Sequence, residues 1–128
     1  GILPRAYFIY GSPGETRQTI QESVKLMQKI KPLSAVFYVL HLFPGTSLFD
    51  EYRQKAKLSD RVWLEKREDF LCFELDQKIK EKDILKFGKT LRSKFYTSLP
   101  RFALENKLQD IKEFYPLYTD FYSRLAMT

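Results

Sequence analysis

Two loops, each directly after an apolar segment, hold the residue types that are best suited to ligand chemistry. The first is Gly11-Ser12-Pro13-Gly14-Glu15-Thr16, which follows the apolar segment 6–10. Its glycines permit positive φ and close backbone approach, and a helix beginning here would direct free amides at an anion or at the polar edge of an adenine. The loop lacks the spacing of a dinucleotide-binding glycine motif and the final Lys-Ser/Thr of a phosphate loop. A tight strand-to-helix turn without a ligand accounts for the same residues.

The second loop, residues 41–46, begins with His41, the only histidine of the chain. This side chain is suited to act as a base or a polar ligand contact, and equally to form a structural hydrogen bond at a strand end. Cys72 has no cysteine or histidine near it in the sequence and is expected to be a buried apolar residue. A Gly-x-Ser-x-Gly nucleophile motif does not occur. We therefore assign no catalytic side chain and no metal ligand.

The composition excludes several classes of protein. The 128 residues suffice for one domain, and a single cysteine excludes an internal disulfide and a cysteine-only zinc or iron–sulfur site. The sequence contains neither an apolar run near the roughly 20 residues of a membrane span nor a secretory leader, so we expect a cytoplasmic protein without membrane contact. A net charge of +6 with 16% aromatic residues is typical of nucleic-acid binding, or of a basic surface over an aromatic core.

An α/β arrangement must position the two loops. Segments 6–10 and 34–41 are rich in β-branched and aromatic residues, which predicts two strands. Helical spacing of apolar residues predicts a helix over 16–30 and another over 47–57. A strand–helix–strand unit with a crossover of this length requires parallel pairing, which places both loops at the same edge of the sheet. The helix residues expected to face inward are Ile20, Val24, Met27 and Ile30 in the first helix, and Leu48, Phe49 and Tyr52 in the second.

Both predicted strands are apolar on both faces, which is typical of strands inside a larger parallel sheet. Two such strands alone leave unpaired edges, so we interpret residues 1–57 as part of a larger α/β sheet or barrel. In isolation, such a piece is expected to self-associate through its strand edges. The competing interpretation is a self-contained α+β domain in which the second half of the chain covers the sheet.

The second half, residues 58–128, is predicted to be a helical extension. Residues 58–68 are polar and charged, as in a connector, and residues 69–75 fit either a short strand or part of a helix. A helix is predicted over 80–98, with Pro100 as its end, because apolar residues recur at helical spacing. Those apolar residues are Ile84, Phe87, Leu91, Phe95 and Leu99. Further helices are predicted at about 101–114 and 117–126.

The two loops together resemble those of a known family. Two motifs carry the resemblance: Phe8-Ile9-Tyr10-Gly11-Ser12-Pro13-Gly14-Glu15-Thr16 and, after a helix and an apolar strand, Phe43-Pro44-Gly45-Thr46-Ser47-Leu48-Phe49. In this order they resemble the C-terminal end of a radical S-adenosylmethionine catalytic domain. The resemblance is closest to the large group in which this domain often follows a cobalamin-binding domain. It covers residues 5–57, and the order and separation of the two motifs make it fairly specific.

The resemblance implies a fragment of a partial parallel (β/α)6 barrel, its last two strands, followed by an α-helical tail. In the family, the glycine-rich loop contacts the adenine part of S-adenosylmethionine, and the end of the next strand lines the same cavity. The family's [4Fe-4S] cluster cleaves S-adenosylmethionine reductively to a 5′-deoxyadenosyl radical, which abstracts hydrogen from substrate; whether the parent also binds cobalamin stays open. The cofactor-binding residues implied here are Ile9, Gly11, Pro13, Gly14, Glu15, His41 and Phe43, with Glu15 expected to stabilise the loop.

One departure from the family pattern bears on activity. The family's cluster is held by Cys-x3-Cys-x2-Cys near the first strand, whereas this sequence contains only Cys72. We therefore expect an inactive C-terminal fragment whose partner is the missing N-terminal part of its own barrel. The substrate, a small molecule or a macromolecule, is not indicated. A smaller departure is Tyr7, where some relatives have glycine, and it bears on the contact at Ile9.

Two non-enzymatic interpretations stay open at this point. A basic helical face, Lys78–Arg92, would bind RNA or an acidic protein partner, with an affinity that falls steeply as salt rises. Alternatively, a scaffold domain would dock to another subunit through the apolar region Phe114–Tyr122, with little dependence on salt.

Overall fold

The computed structural model describes residues 4–57 and 79–106, and the single positions 112, 116, 119, 123 and 126. Residues 4–57 and 79–106 form two parallel strands and three helices, so the predicted α/β class is confirmed. The elements are β1 (Arg5–Tyr10), α1 (Arg17–Ile30), β2 (Ser34–Val39), α2 (Ser47–Ala56) and α3 (Glu81–Glu105). Among the described helices, none combines the length and the apolar character needed to cross a membrane.

The sheet pairs β1 with β2 in parallel, from Arg5 opposite Ser34 to Tyr10 opposite Val39. The predicted pairing is confirmed, although β2 ends at Val39 rather than at His41. On one face of the sheet the Phe8 and Phe37 rings stack with centroids 5.4 Å apart. This face packs against α1 and α3.

The opposite face of the sheet is open within the described residues. Tyr7, Ile9 and Tyr38 lie on it with 62%, 59% and 51% of their surface exposed. The Tyr7 and Tyr38 rings stack across the two strands, with centroids 6.3 Å apart. Coverage of one face by a helix from the second half agrees with the self-contained interpretation, and the open apolar face agrees with a piece of a larger barrel.

Helix α1 begins and ends close to its predicted limits. Its N-cap is Thr16, whose hydroxyl accepts a hydrogen bond from the Thr19 amide at 3.2 Å. The Thr19 hydroxyl in turn accepts a hydrogen bond from the Thr16 amide at 3.0 Å, which completes a capping box. The helix ends at Lys31, which adopts a left-handed conformation immediately before Pro32. The inward orientation predicted for Ile30 is wrong: this side chain is 47% exposed. At about 100° per residue it lies to one side of the stripe that Ile20, Val24 and Met27 form.

Helix α3 continues past Pro100 to Glu105, so the predicted end of the helix is wrong. Proline removes one backbone donor and crowds the preceding turn. Burial on the same face continues beyond it, however, because both Leu99 and Phe102 are 0% exposed. The packing of these two side chains offsets the cost of the proline. The first residues of the separately predicted helix 101–114 therefore belong to α3.

Two apolar clusters hold the helices against the sheet. The loop-side cluster comprises Tyr10, Ile20, Ile84, Phe87 and Leu91. The distal cluster comprises Met27, Leu33, Ala35, Phe95, Leu99 and Phe102. Each cluster joins residues from both halves of the chain, so α3 is part of the domain core and is not an appendage.

Helix α2 is held by a smaller cluster. Phe49 and Leu42 are buried there, with Leu48 and Tyr52 packed against them, which confirms the predicted inward face of α2. Several predictions lie wholly or partly outside the described residues: the connector 58–68, the segment 69–75 with Cys72, most of the helix 117–126, and half of 101–114.

Candidate functional site

The two loops begin side by side at the carboxyl edge of the sheet. Tyr10 and Val39, the last residues of β1 and β2, are partners in the strand register. One residue further on, the Leu40 amide donates a hydrogen bond to the Tyr10 carbonyl at 2.7 Å. The chain therefore leaves the sheet at neighbouring points, and the loops 11–16 and 40–46 share one edge, where parallel sheets commonly bind ligands.

The first loop depends on its two glycines for its backbone conformation. Gly11 has φ of 89° and Gly14 has φ of 77°, in the left-handed region that other residues rarely adopt. The Glu15 amide donates to the Ser12 carbonyl at 3.0 Å and closes a turn around Pro13. Pro13 and Gly14 are exposed at the tip of the loop. The exposed tip of this loop therefore consists of the Pro13 ring and the Gly14 backbone.

The Glu15 carboxylate stabilises the loop from within. Its Oε2 accepts a hydrogen bond from the Gly11 amide at 2.5 Å. Burial raises the pKa of Glu15 above its ordinary value, while hydrogen bonds from the Gly11 and Ser12 amides oppose that rise. The carboxylate is thus engaged with the loop backbone, which agrees with a stabilising role and not with one as a free base.

The raised pKa of Glu15 predicts how this residue affects the free energy of unfolding as pH changes. Because the pKa is raised in the folded chain, that chain binds more protons than the unfolded chain between the two pKa values. The contribution of Glu15 to stability therefore falls as pH rises from the ordinary glutamate pKa, about 4.3, through the raised pKa of the folded chain. We expect Glu15→Gln to gain stability relative to the parent chain between about pH 4 and pH 7, measured by urea unfolding.

Glu22→Gln is the matched control for that prediction, since Glu22 lies exposed on α1 and the change in net charge is the same. It is expected to show a smaller change across this pH range. A Glu15→Gln variant that instead loses stability relative to the parent as pH rises would show that the two amide hydrogen bonds outweigh the cost of burial.

The second loop is anchored at both ends and leaves two aromatic rings outside. Thr46 caps α2 by accepting from the Phe49 amide at 3.2 Å, and its hydroxyl donates to the Phe43 carbonyl at 2.7 Å. Leu42 is buried beside Phe49. His41 and Phe43 lie exposed with ring centroids 6.4 Å apart. Both rings are accessible to a ligand at this edge of the sheet.

The structure places the predicted site residues nearest the strand ends, Ile9 and Gly11, at the shared edge of the sheet, whereas Pro13 and Gly14 lie at the tip of the first loop. Ile9 lies on the open face of the sheet, and Gly11 follows where β1 ends. The two predicted loops are joined by the Leu40–Tyr10 backbone hydrogen bond. Within the described part of the chain, no cluster of three or more histidine, cysteine, aspartate or glutamate side chains forms a metal site.

Sequence reasoning missed the residues of α3 that support the first loop. Gly88 lies in the middle of the predicted helix 80–98, and a Cβ there would overlap the ring of Tyr10. Arg92 donates to the Tyr10 hydroxyl at 3.2 Å. A glycine in the middle of a helical pattern is a known sign of close packing, and that signal was available in the sequence.

Comparisons of the chain with protein-family models, with curated proteins and with solved structures find no match.

Proposed function

We propose that this chain supplies the adenine-side loops of the S-adenosylmethionine site of a radical S-adenosylmethionine enzyme. In this proposal, β1 and β2 are the last two strands of a partial (β/α)6 barrel. One observation carries the proposal: two loops with the family's paired motifs leave neighbouring parallel strands at one edge of the sheet. The helix-covered face would be the outside of the barrel, and the open face would line its interior.

The residues at this edge suit the adenine part of the cofactor. Ile9 offers an exposed apolar side chain on the open face. Gly11 is buried at the end of β1, and its positive φ turns the backbone into the loop whose exposed tip is Pro13 and Gly14. In this role Ile9 packs against the adenine, the loop backbone contacts the ring edge, and Glu15 keeps the loop in shape. His41 and Phe43 would line the same cavity from the second loop.

The same residues do not fit the iron–sulfur cluster. The chain contains one cysteine, while thiolate ligation of a four-iron cluster by this family requires three. The ligands would come from polypeptide outside these 128 residues, and the chain alone would be catalytically inactive. No step of radical chemistry is assigned to its side chains, and the proposal makes no claim on cobalamin or on the substrate.

An NMR titration of the full chain with 5′-deoxyadenosine tests the proposal. We expect shifts at the amides of 11–16 and 40–43, with a Kd of about 1 mM, or roughly 4 kcal/mol, since only one side of the site is present. S-Adenosylmethionine should shift the same amides, and methionine alone should not. The proposal would be overturned if neither loop shifted at a 5′-deoxyadenosine concentration ten times the expected Kd, or if methionine caused equal shifts.

A pair of exposed isoleucines supplies matched variants for this titration. Ile9→Ala should weaken 5′-deoxyadenosine binding about fivefold, which corresponds to roughly 1 kcal/mol of lost apolar contact. Ile30→Ala removes a similarly exposed side chain from the end of α1 and should leave the affinity unchanged. Equal effects of the two substitutions would mean that the nucleoside binds elsewhere.

A basic surface favours the second candidate function, binding of RNA or of an acidic protein. Lys82, Lys86 and Lys89 are exposed on α3. Arg17 and Lys86 flank a shallow cavity of about 150 Å³ between α1 and α3. This function would be favoured if a single-stranded RNA bound with an affinity that fell steeply between 50 and 200 mM salt, as counterion release requires.

A further inference from the structure

The first loop is held at both ends by the same helix from the second half of the chain. Tyr10 immediately precedes the loop, and Ile20 lies one turn into the helix that follows it. Both side chains are buried in the loop-side cluster with Ile84, Phe87 and Leu91 of α3. The hydrogen bonds that the loop makes to other described residues, by contrast, are local. They set its shape, whereas its position on the sheet depends on the two ends.

Three contacts fix the end at Tyr10. The Tyr10 ring lies directly over Gly88, where the backbone of α3 is free of a side chain. The hydroxyl of this ring accepts a hydrogen bond from Arg92 at 3.2 Å. Ile84 packs close to the backbone of Gly11, with its Cγ2 at 3.5 Å from the place that a Cβ on this glycine would occupy.

We infer that α3 is the positioning element of the adenine-side loop, with Ile84, Gly88, Leu91 and Arg92 as positioning residues. None of them need touch the nucleoside; they act through Tyr10, Gly11 and Ile20. This inference rests on the proposed function for its ligand, but its structural part concerns the loop of the ligand-free chain. It assigns the helical second half a role in the site.

Two leucines of α3 provide a matched test in the full chain. Leu91 belongs to the loop-side cluster and Leu99 to the distal cluster, and they are 1% and 0% exposed. Leu91→Ala and Leu99→Ala should lower the urea midpoint by similar amounts. Only Leu91→Ala should accelerate amide hydrogen exchange at 11–15, by tenfold or more, and weaken 5′-deoxyadenosine binding at least threefold. Equal loop exchange and equal affinity in the two variants would overturn the inference.

Tyr10→Phe covers the case in which Leu91→Ala fails to fold, because the ring stays in place and only the contact with Arg92 is lost. We expect two- to threefold faster exchange in the loop, with the fold retained. Unchanged exchange in this variant would contradict the role of Arg92. Failure of the parent chain to bind 5′-deoxyadenosine would refute the proposed function, while the exchange data would still decide whether α3 positions the loop.

Discussion

Replacing Phe102 with alanine is expected to reduce the free energy of unfolding by about 3–5 kcal/mol. Phe102 is 0% exposed and lies in the distal cluster with Met27 and Phe95. The guanidinium of Arg101 also lies over its ring, 5.5 Å from the centroid. Because small domains are stable by only about 5–15 kcal/mol, this single change should remove a large part of the total.

Leu104→Ala is the control, because Leu104 is on the same last turns of α3 but is 68% exposed. It should change the free energy of unfolding by less than about 0.5 kcal/mol. Urea denaturation followed by circular dichroism measures both. If Phe102→Ala were as mild as Leu104→Ala, the helix would not continue past Pro100 in the way described.

Gly88→Ala is expected to destabilise the chain although alanine is the better helix former. The helix propensity alone would favour alanine by about 1 kcal/mol. A Cβ at this position would overlap the Tyr10 ring, which is only 3% exposed and is held by Arg92. Overpacking costs about 1–3 kcal/mol, and direct overlap with a buried ring belongs at the upper end of that range. After the gain in helix propensity, we expect a net loss of up to about 2 kcal/mol in the free energy of unfolding.

A double-mutant cycle separates the steric effect from the helix propensity. In the Tyr10→Ala background the ring is gone, so Gly88→Ala should become stabilising, with a coupling of about 2 kcal/mol. Ser93→Ala, on the exposed face of α3, should raise stability by a few tenths of a kcal/mol in both backgrounds, roughly as propensity predicts. Stabilisation by Gly88→Ala in the parent chain would refute the contact.

Local sequence signals were enough to predict most of the helices and strands. Thr16 supplied a cap for α1, and the apolar stripe from Ile84 to Leu99 predicted the buried face of α3. The helix end predicted at Pro100 is wrong because the destabilising effect of proline is local, whereas the burial of Phe102 that offsets it depends on contacts distant in the sequence.

The candidate site was predictable only in part. Motif and strand order indicated which two loops share an edge, and the pairing of Tyr10 with Val39 confirms that parallel arrangement. The support from Gly88 and Arg92 involves residues about 80 positions from the loop, and no pattern within either segment specifies that pairing. The hydrogen bond between Glu15 and the Gly11 amide depends on positive φ at glycine, which the sequence permits but does not require.

The most direct test of the proposed site locates the adenine relative to two isoleucine methyl groups. Ile9 and Ile30 are about equally exposed, at 59% and 47%, on β1 and at the end of α1 respectively. Nuclear Overhauser effects should be recorded on the isoleucine-methyl-labelled chain with 5′-deoxyadenosine in excess. The account predicts contacts from adenine H2 or H8 to the Ile9 methyl groups. Contacts to Ile30, or none to Ile9 while the nucleoside is bound, would contradict it.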